Sequence, residues 1–228
     1  MGTVRPVADL TRLIDVSLPI RSDMLLYPGD RAPVLRLLSS VASGAPLTVS
    51  ELTIGCHVGT HIDAPAHFMA NGATVDQLGG KHFAGPAVVL DLTNRNEITH
   101  ADVETFSLAT GHHILLKTDN SILLGSNEFA GTYCHLTVEA AEFLLGFEPL
   151  SIGIDYYSLD PPSATEFPAH LAVARRGKPA FVCLDLRKVA PGNYFFFGFP
   201  LNIPGAEGCP IRAILAPSSA ESGDTEER

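Results

Sequence analysis

The sequence predicts an α/β protein with a mixed, barrel-like β core, and three observations carry that expectation. The chain has 228 residues, 46% hydrophobic and only 18% charged, enough to bury a sizeable core as one domain. Its apolar residues fall in short runs separated by turn signals, the pattern of strands. Helical patterns are few and come late, so strands outnumber helices.

Taken in order, "LIDVSLPI" (13–20) precedes the turn "YPGD" (27–30), which has Pro at its second position. "APVLRLLSSV" (32–41) and "LTVSELTIGCHVG" (47–59) alternate in a strand-like way. "GPAVVLDLT" (85–93) reads as a buried strand bounded by Gly and Thr. "TVEAAEFLLGF" (137–147) is the clearest helix, with Thr137 as N-cap and Glu139 and Glu142 favouring its first turn. "LSIGIDYYSLD" (150–160) and "PAFVCLDL" (179–186) read as buried strands, and "YFFFGFPLNI" (194–203) as an aromatic one. Between them "PAHLAVARRG" (168–177) is a short helix ending at Gly177. No linker divides the chain, so one domain is expected over 1–217. The small polar tail 218–228 is expected to be disordered.

Composition excludes several classes of partner. The formal charge of −10 argues against nucleic acid and anionic lipid. No run of about 18 apolar residues exists to span a membrane, and the start lacks the apolar core of a signal peptide. Cys56, Cys134, Cys183 and Cys209 form no C-x-x-C pair. They are expected to be free thiols in a cytoplasmic protein rather than a zinc ribbon or disulfide framework.

The chemistry concentrates in "GCHVGTHIDAPAHF", Gly55–Phe68. His57, His61, Asp63 and His67 are the candidate ligands, borderline-to-hard donors that suit Zn²⁺, Mn²⁺ or Fe²⁺. An H-x-x-x-H pair is usually read as helical, but Asp63 would then lie about 240° around from His57 and about 200° from His61. Gly59 and Pro65 also disfavour a helix. In an extended chain, positions 57, 61, 63 and 67 share one parity and project to one side. Pro65 bends the end of the segment and turns His67 back over the site. The expectation is a facial His-His-Asp triad with His67 beyond it. Three protein ligands leave a position open for water, as catalytic sites do. Thr60 and the backbone around Gly59 are candidates to support the ligands from behind.

"HVGTHIDAPAHF" is similar to the H-x-G-T-H-x-D-x-P-x-H motif of the family that contains bacterial kynurenine formamidases, isatin hydrolases and related cyclases. "MLLYPGD", "NGATVDQL", "GPAVVLDLT", "ILLKTDNS", "LTVEAAEFLL", "IGIDYYSLDP" and "FPLNIPGAEGCPIRAIL" resemble the same family in the same order, so the likeness runs from about Leu13 to Leu215. It implies a fold of the swivelling β/β/α type, built into homodimers or homotetramers. It implies that His57, His61 and Asp63 hold the first metal, with the aspartate bridging to a second ion in binuclear members. His67 matches the residue taken as catalytic acid or base, and His170 the histidine of the second metal.

Two departures accompany the likeness. The family's other second-metal ligand is a glutamate, and Val182 stands in its place. Cys183 or Asp185 would face the site only from a shifted register. One tightly held Zn²⁺ or Mn²⁺ per chain is therefore expected. The family's formamidases carry a tryptophan near the "YPGD" position; here Tyr27 occupies it and the chain has no Trp. Tyr27 is the candidate to stack on an aryl substrate.

The leading expectation is a metal-dependent hydrolase of a small aryl or cyclic amide, in which metal-activated water attacks the carbonyl and His67 moves the proton. A cyclase or lyase of secondary metabolism and a non-catalytic metal-stabilised scaffold are the alternatives. His82, His100, His112, His113 and His135 lie outside recognisable motifs. Asn120 and Ser121 are read as structural turn residues, while Asp155, Tyr156 and Tyr157 suit either pocket lining or core.

Overall fold

The computed structural model describes residues 11–126 and 128–218. In chain order it forms strands β1 (Ile14–Asp15), β2 (Val34–Ser39), β3 (Val49–Thr53), β4 (His61–Asp63), β5 (Ala84–Asp91), β6 (Glu97–Ile98) and β7 (His113–Lys117). Strands β8 (His135–Leu136), β9 (Ser151–Ile154), β10 (Ala180–Val182), β11 (Gly192–Pro200) and β12 (Gly208–Pro217) follow. The helices are α1 (His100–Val103), α2 (Asn120–Leu123), α3 (Val138–Leu145) and α4 (Pro168–Arg175).

Eight strands form one mixed sheet in the order β1-β12-β11-β5-β7-β9-β10-β4, and a further β12–β4 pairing closes it into a barrel. Strands β5, β7, β9 and β10 are parallel neighbours; β4, β11 and β12 run antiparallel to theirs. Closure follows from β12, whose ten residues reach β4 at one end and β11 and β1 along the rest. The expected mixed, barrel-like core is therefore present, and closing it removes sheet edges that would otherwise invite foreign strands.

Alternation sorts the core into two layers. Inside the barrel, Ile62, Phe181, Leu115, Val89 and Phe196 pack together. On the outer face Val182, Ala180, Ile152, Ile154 and Leu116 pack under α3 and α4. Helix α3 starts where its sequence predicts: Thr137 is extended at the N-cap and its hydroxyl accepts from the Ala140 N–H. Helix α4 begins with Pro168 in its first turn, and Gly177 just beyond its end has φ +66°.

Several predicted strands are shorter than their apolar runs. Of 13–20 only Ile14–Asp15 forms a regular strand; beyond it the Val16 N–H still donates to the Ala213 carbonyl, and the Ser17 hydroxyl takes over the next contact with β12. Strand β9 stops at Ile154, where Asp155 turns to bond the Thr118 and Ser121 side chains and backbone. These bonds tie Asn120 and Ser121 into the fold, as their reading as structural residues expects. The Asn120 side chain brackets the Cys134 backbone, and Ser121 holds Asp155. The Ser218 N–H still donates to the Asn193 carbonyl, and the rest of the expected tail lies outside the described residues. All four cysteines are free thiols.

Candidate metal centre and active-site pocket

The motif at 55–68 folds back on itself rather than running straight. His61 and Asp63 lie on β4 and share a face, as period-two alternation requires. His57 does not reach the site along a strand. Residues 56–60 form a turn with Gly59 at φ +65°, a left-handed conformation that costs other residues energy. Shared parity thus explains the convergence of His61 and Asp63, while a left-handed turn explains that of His57. Thr60 anchors the turn: the Leu18 N–H donates to its Oγ1 (2.8 Å), and its hydroxyl donates to the Cys183 carbonyl (2.6 Å).

Three donor atoms converge within 4.8 Å of one another, on His57, His61 and Asp63. Asp63 Oδ1 lies 2.8 Å from His57 Nδ1 and 3.2 Å from His61 Nε2. His61 Nδ1 donates to the Gly59 carbonyl at 2.7 Å, which leaves its Nε2 lone pair facing the cluster. Asp63 is buried. Burial alone would raise its pKa, yet His61 and His57 beside it pull it well below the usual carboxylate range. For His57 burial acts downward, but the Asp63 and Glu207 carboxylates outweigh it and raise the pKa. The donor set, its convergence and its ionised carboxylate fit a divalent metal ion.

Pro65 bends the chain as expected. Residues Pro65–His67 form one 3₁₀ turn, and it stacks the His67 ring on His57 with centroids 3.9 Å apart. His67 opens to the pocket yet is ringed by protein. Burial lowers its pKa, Asp63 works against that, and His57, His170 and His61 add to the lowering. Gly72 makes the turn possible, since a Cβ there would lie 2.4 Å from the Pro65 carbonyl carbon.

His170 arrives from α4 on the far side of Asp63, its Nε2 3.8 Å from Asp63 Oδ2. Asp160 holds it: the carboxylate accepts from His170 Nδ1 at 2.7 Å and from the Ala169 and His170 backbone N–H groups. His170 Nε2 is buried without a hydrogen-bond partner among the described residues. Val182 pairs directly with His61 across the β10–β4 ladder, so its side chain lies on the ligand face. It is fully buried under α4. Asp185 turns instead to Arg187, with contacts of 2.8 and 2.7 Å. Buried Cys183 keeps its proton, because burial and then the Asp63 charge push its pKa far up. Neither residue takes the place of the glutamate that Val182 lacks.

His57, His61, Asp63, His67 and His170 floor a cavity of about 260 Å³ walled by Tyr27, Phe68, Tyr157 and Phe167. That volume suits a single small ring system. Phe68 stacks on His170 with centroids 4.6 Å apart, and Phe167 carries a strained φ of 49° at the start of α4. Tyr27 lines the cavity, in edge contact with Phe129 at 5.2 Å. His82, His100, His112, His113 and His135 do not line it.

Four residues of consequence escape sequence reasoning: Phe68, Phe167, Asp160 and Glu207. Phe68 ends the Gly55–Phe68 motif, yet its contact with His170 is tertiary. Glu207 stood in "GAEGCP", where a carboxylate between Ala206 and Gly208 carries no spacing signal. Its Oε1 lies 3.2 Å from His57 Nε2.

Comparison with known proteins agrees with this architecture. A family model described as "Putative cyclase" matches residues 14–161, more than half of the chain. The kynurenine formamidase of Bacillus thuringiensis (strain Al Hakam) is 33% identical over 204 residues, covering 90% of this chain and 97% of that protein. Among solved structures, a predicted metal-dependent hydrolase from Bacillus stearothermophilus superimposes with TM-score 0.78 at 26% identity, covering 90% of this chain and 98% of that one. Isatin hydrolase A from Ralstonia solanacearum shares the fold, with TM-score 0.80 at 24% identity over 90% of this chain and 91% of that one. The fold and the convergent donors are those of a metal-dependent hydrolase, and the chain belongs to the cyclase family. Within it, the protein is an enzyme, an amidohydrolase acting on C–N bonds other than peptide bonds.

Proposed function

We propose that the protein hydrolyses a small aryl or cyclic amide, of the N-formyl-aryl or lactam kind, with a single Zn²⁺ or Mn²⁺ per chain. The observation that carries this is the convergence of His57, His61 and Asp63 at the floor of an aromatic-walled cavity. These three residues hold the ion, which supplies water activation and carbonyl polarisation when bound. Tyr27, Phe68 and Phe167 form the walls that receive an aryl group. His67 is the catalytic acid and base: at the open side of the cluster, it takes a proton from water and delivers it to the leaving nitrogen.

One ion rather than two follows from Val182. His170 and Asp63 are in place for a second ion, but an alkyl group occupies the ligand face beside His61. His170, the family's second-metal histidine, is then left as a wall of the pocket, held by Asp160. The protein is proposed to work in the cytoplasm, where its four thiols stay reduced, as a homodimer or homotetramer. Among the described residues no helix is long and apolar enough to cross a membrane.

Elemental analysis of purified protein, with an activity screen over N-formylkynurenine, isatin and simple lactones, tests the proposal. Metal near one per chain is expected, together with amidase activity that exhaustive chelation or His61→Ala abolishes. Full activity after chelation would overturn it, and two firmly bound ions would overturn the reading of Val182.

A further inference from the structure

Each imidazole around Asp63 has two nitrogens, and only the one without a proton can face a metal. For His61 the choice is made by the Gly59 carbonyl, which takes the Nδ1 proton at 2.7 Å. For His170 it is made by Asp160, which takes the Nδ1 proton at 2.7 Å. His57 is different, because its metal-facing atom is Nδ1 and the nearest acceptor to that atom is Asp63 itself, 2.8 Å away. Left to that contact alone, a neutral His57 would place its proton on Nδ1, between itself and Asp63, and close the site to an ion.

Glu207 offers the opposing contact. Its Oε1 lies 3.2 Å from His57 Nε2, on the side of the ring away from the cluster. The carboxylate comes from 150 residues further along the chain, and its backbone is tied down, since the Glu207 carbonyl accepts from the Ala64 N–H at 2.8 Å. The neighbouring residue is shaped to the same ring. Gly208 is the Cα partner of Asp63 in the β12–β4 ladder, and a Cβ on it would lie 2.4 Å from His57 Cε1. Real Cβ atoms do not come so close, so only glycine at 208 leaves room for the imidazole in this position. Glu207 and Gly208 thus form a cradle for His57, one by accepting its far proton and the other by standing clear of it.

We infer that Glu207 is the positioning residue of the metal centre: it holds the proton of His57 on Nε2, so that Nδ1 faces Asp63 and His61 as a ligand. The inference rests on the proposed reading of His57, His61 and Asp63 as metal ligands. Carboxylates that orient ligating histidines in this way are generally worth about 10–100-fold in metal affinity. The Glu207 side chain is 44% exposed, so replacing it leaves the barrel core untouched.

The test uses the full chain, stripped of metal and titrated with Zn²⁺ against a chromogenic chelator. Glu207→Ala is expected to bind Zn²⁺ about 10–100-fold more weakly than the native chain. Glu207→Gln keeps an acceptor oxygen and is expected to recover most of that loss. The thermal midpoint of the metal-free Ala variant should match that of the native protein, while the stabilisation gained from Zn²⁺ shrinks. In the Zn²⁺-loaded native chain, ¹⁵N NMR of His57 should show the proton on Nε2. Equal Zn²⁺ affinity in Glu207→Ala and native protein, or a His57 proton on Nδ1 in the loaded chain, overturns the role of Glu207. A native chain that takes up no divalent ion overturns the reading of the site itself.

Discussion

His113, at the start of β7, shows how a residue with no part in the site still governs behaviour. It is fully buried, its Nδ1 lies 2.7 Å from Ser151 Oγ, and its Nε2 has no hydrogen-bond partner among the described residues. Burial lowers its pKa to about 3, with small additions from His82 and His112. Because the folded value lies below the unfolded one, the neutral form is the one that folding favours. Its stability contribution is complete above about pH 6.5 and is lost as pH falls from there toward 3. By pH 5 the loss is on the order of 2 kcal/mol. Urea titrations at pH 7 and pH 5 are expected to show a clear drop for the metal-free native chain and a smaller one for His113→Leu. Equal drops would show that His113 does not carry the effect. At the same scale, the candidate ligands are legible in sequence because His and Asp declare their donor atoms, and parity adds the shared face of His61 and Asp63. Glu207 is not, because nothing local marks a carboxylate that folds back across the whole chain.

The Pro65–His67 turn and the loop behind it work as one element. Pro65 starts the turn, the Ala66 N–H donates to the Ala73 carbonyl at 3.0 Å, and Gly72 lies against the Pro65 backbone. A methyl at 72 has no flexible side chain to push aside, only main chain. Gly72→Ala is therefore expected to cost about 2 kcal/mol, lowering Tm by about 4–8 °C for a domain of this size. It should also reduce kcat, because the turn that places His67 is displaced. Gly79→Ala is the control, since a Cβ there meets nothing within 4 Å and the backbone is ordinary. Calorimetry and turnover on the two variants check the pair; matching behaviour would refute the account. The element itself is partly legible, because proline declares a bend. Its direction is not, because that depends on which strand the next loop packs against.

At the scale of the molecule, the ribbon β2–β3 stands apart from the barrel as a two-stranded sheet. Leu35, Leu37 and Leu52 share one face and are 72%, 60% and 55% exposed, whereas Arg36 and Glu51 form an ion pair on the other. An isolated two-stranded ribbon is marginal in water, and an apolar face of this kind is usually covered. Pairing of this face in the proposed homodimer or homotetramer would cover it. Light scattering should find more than one chain per particle in the native protein and a monomer in the Leu35→Glu, Leu37→Glu double variant. A monomeric native protein at micromolar concentration would refute this. Sequence alternation identifies this ribbon as strands but does not show that it leaves the barrel, since both kinds of strand read alike.

By itself the amino-acid sequence determined the fold class, the N-cap of α3, the end of α4 near Gly177 and the candidate ligand residues, while the likeness to the family marked Val182 as standing where a carboxylate is expected. The caps and candidate ligands rest on local chemistry, a hydroxyl before a helix, alternation along a strand or a donor atom, and the departure at Val182 rests on the family likeness. Only the tertiary structure decided that the sheet closes and that a left-handed turn at Gly59 brings His57 back. It also decided that Asp160 and Glu207 stand behind the histidines. Those outcomes depend on contacts between segments up to 150 residues apart, and such contacts leave no periodicity or spacing in the chain that makes them.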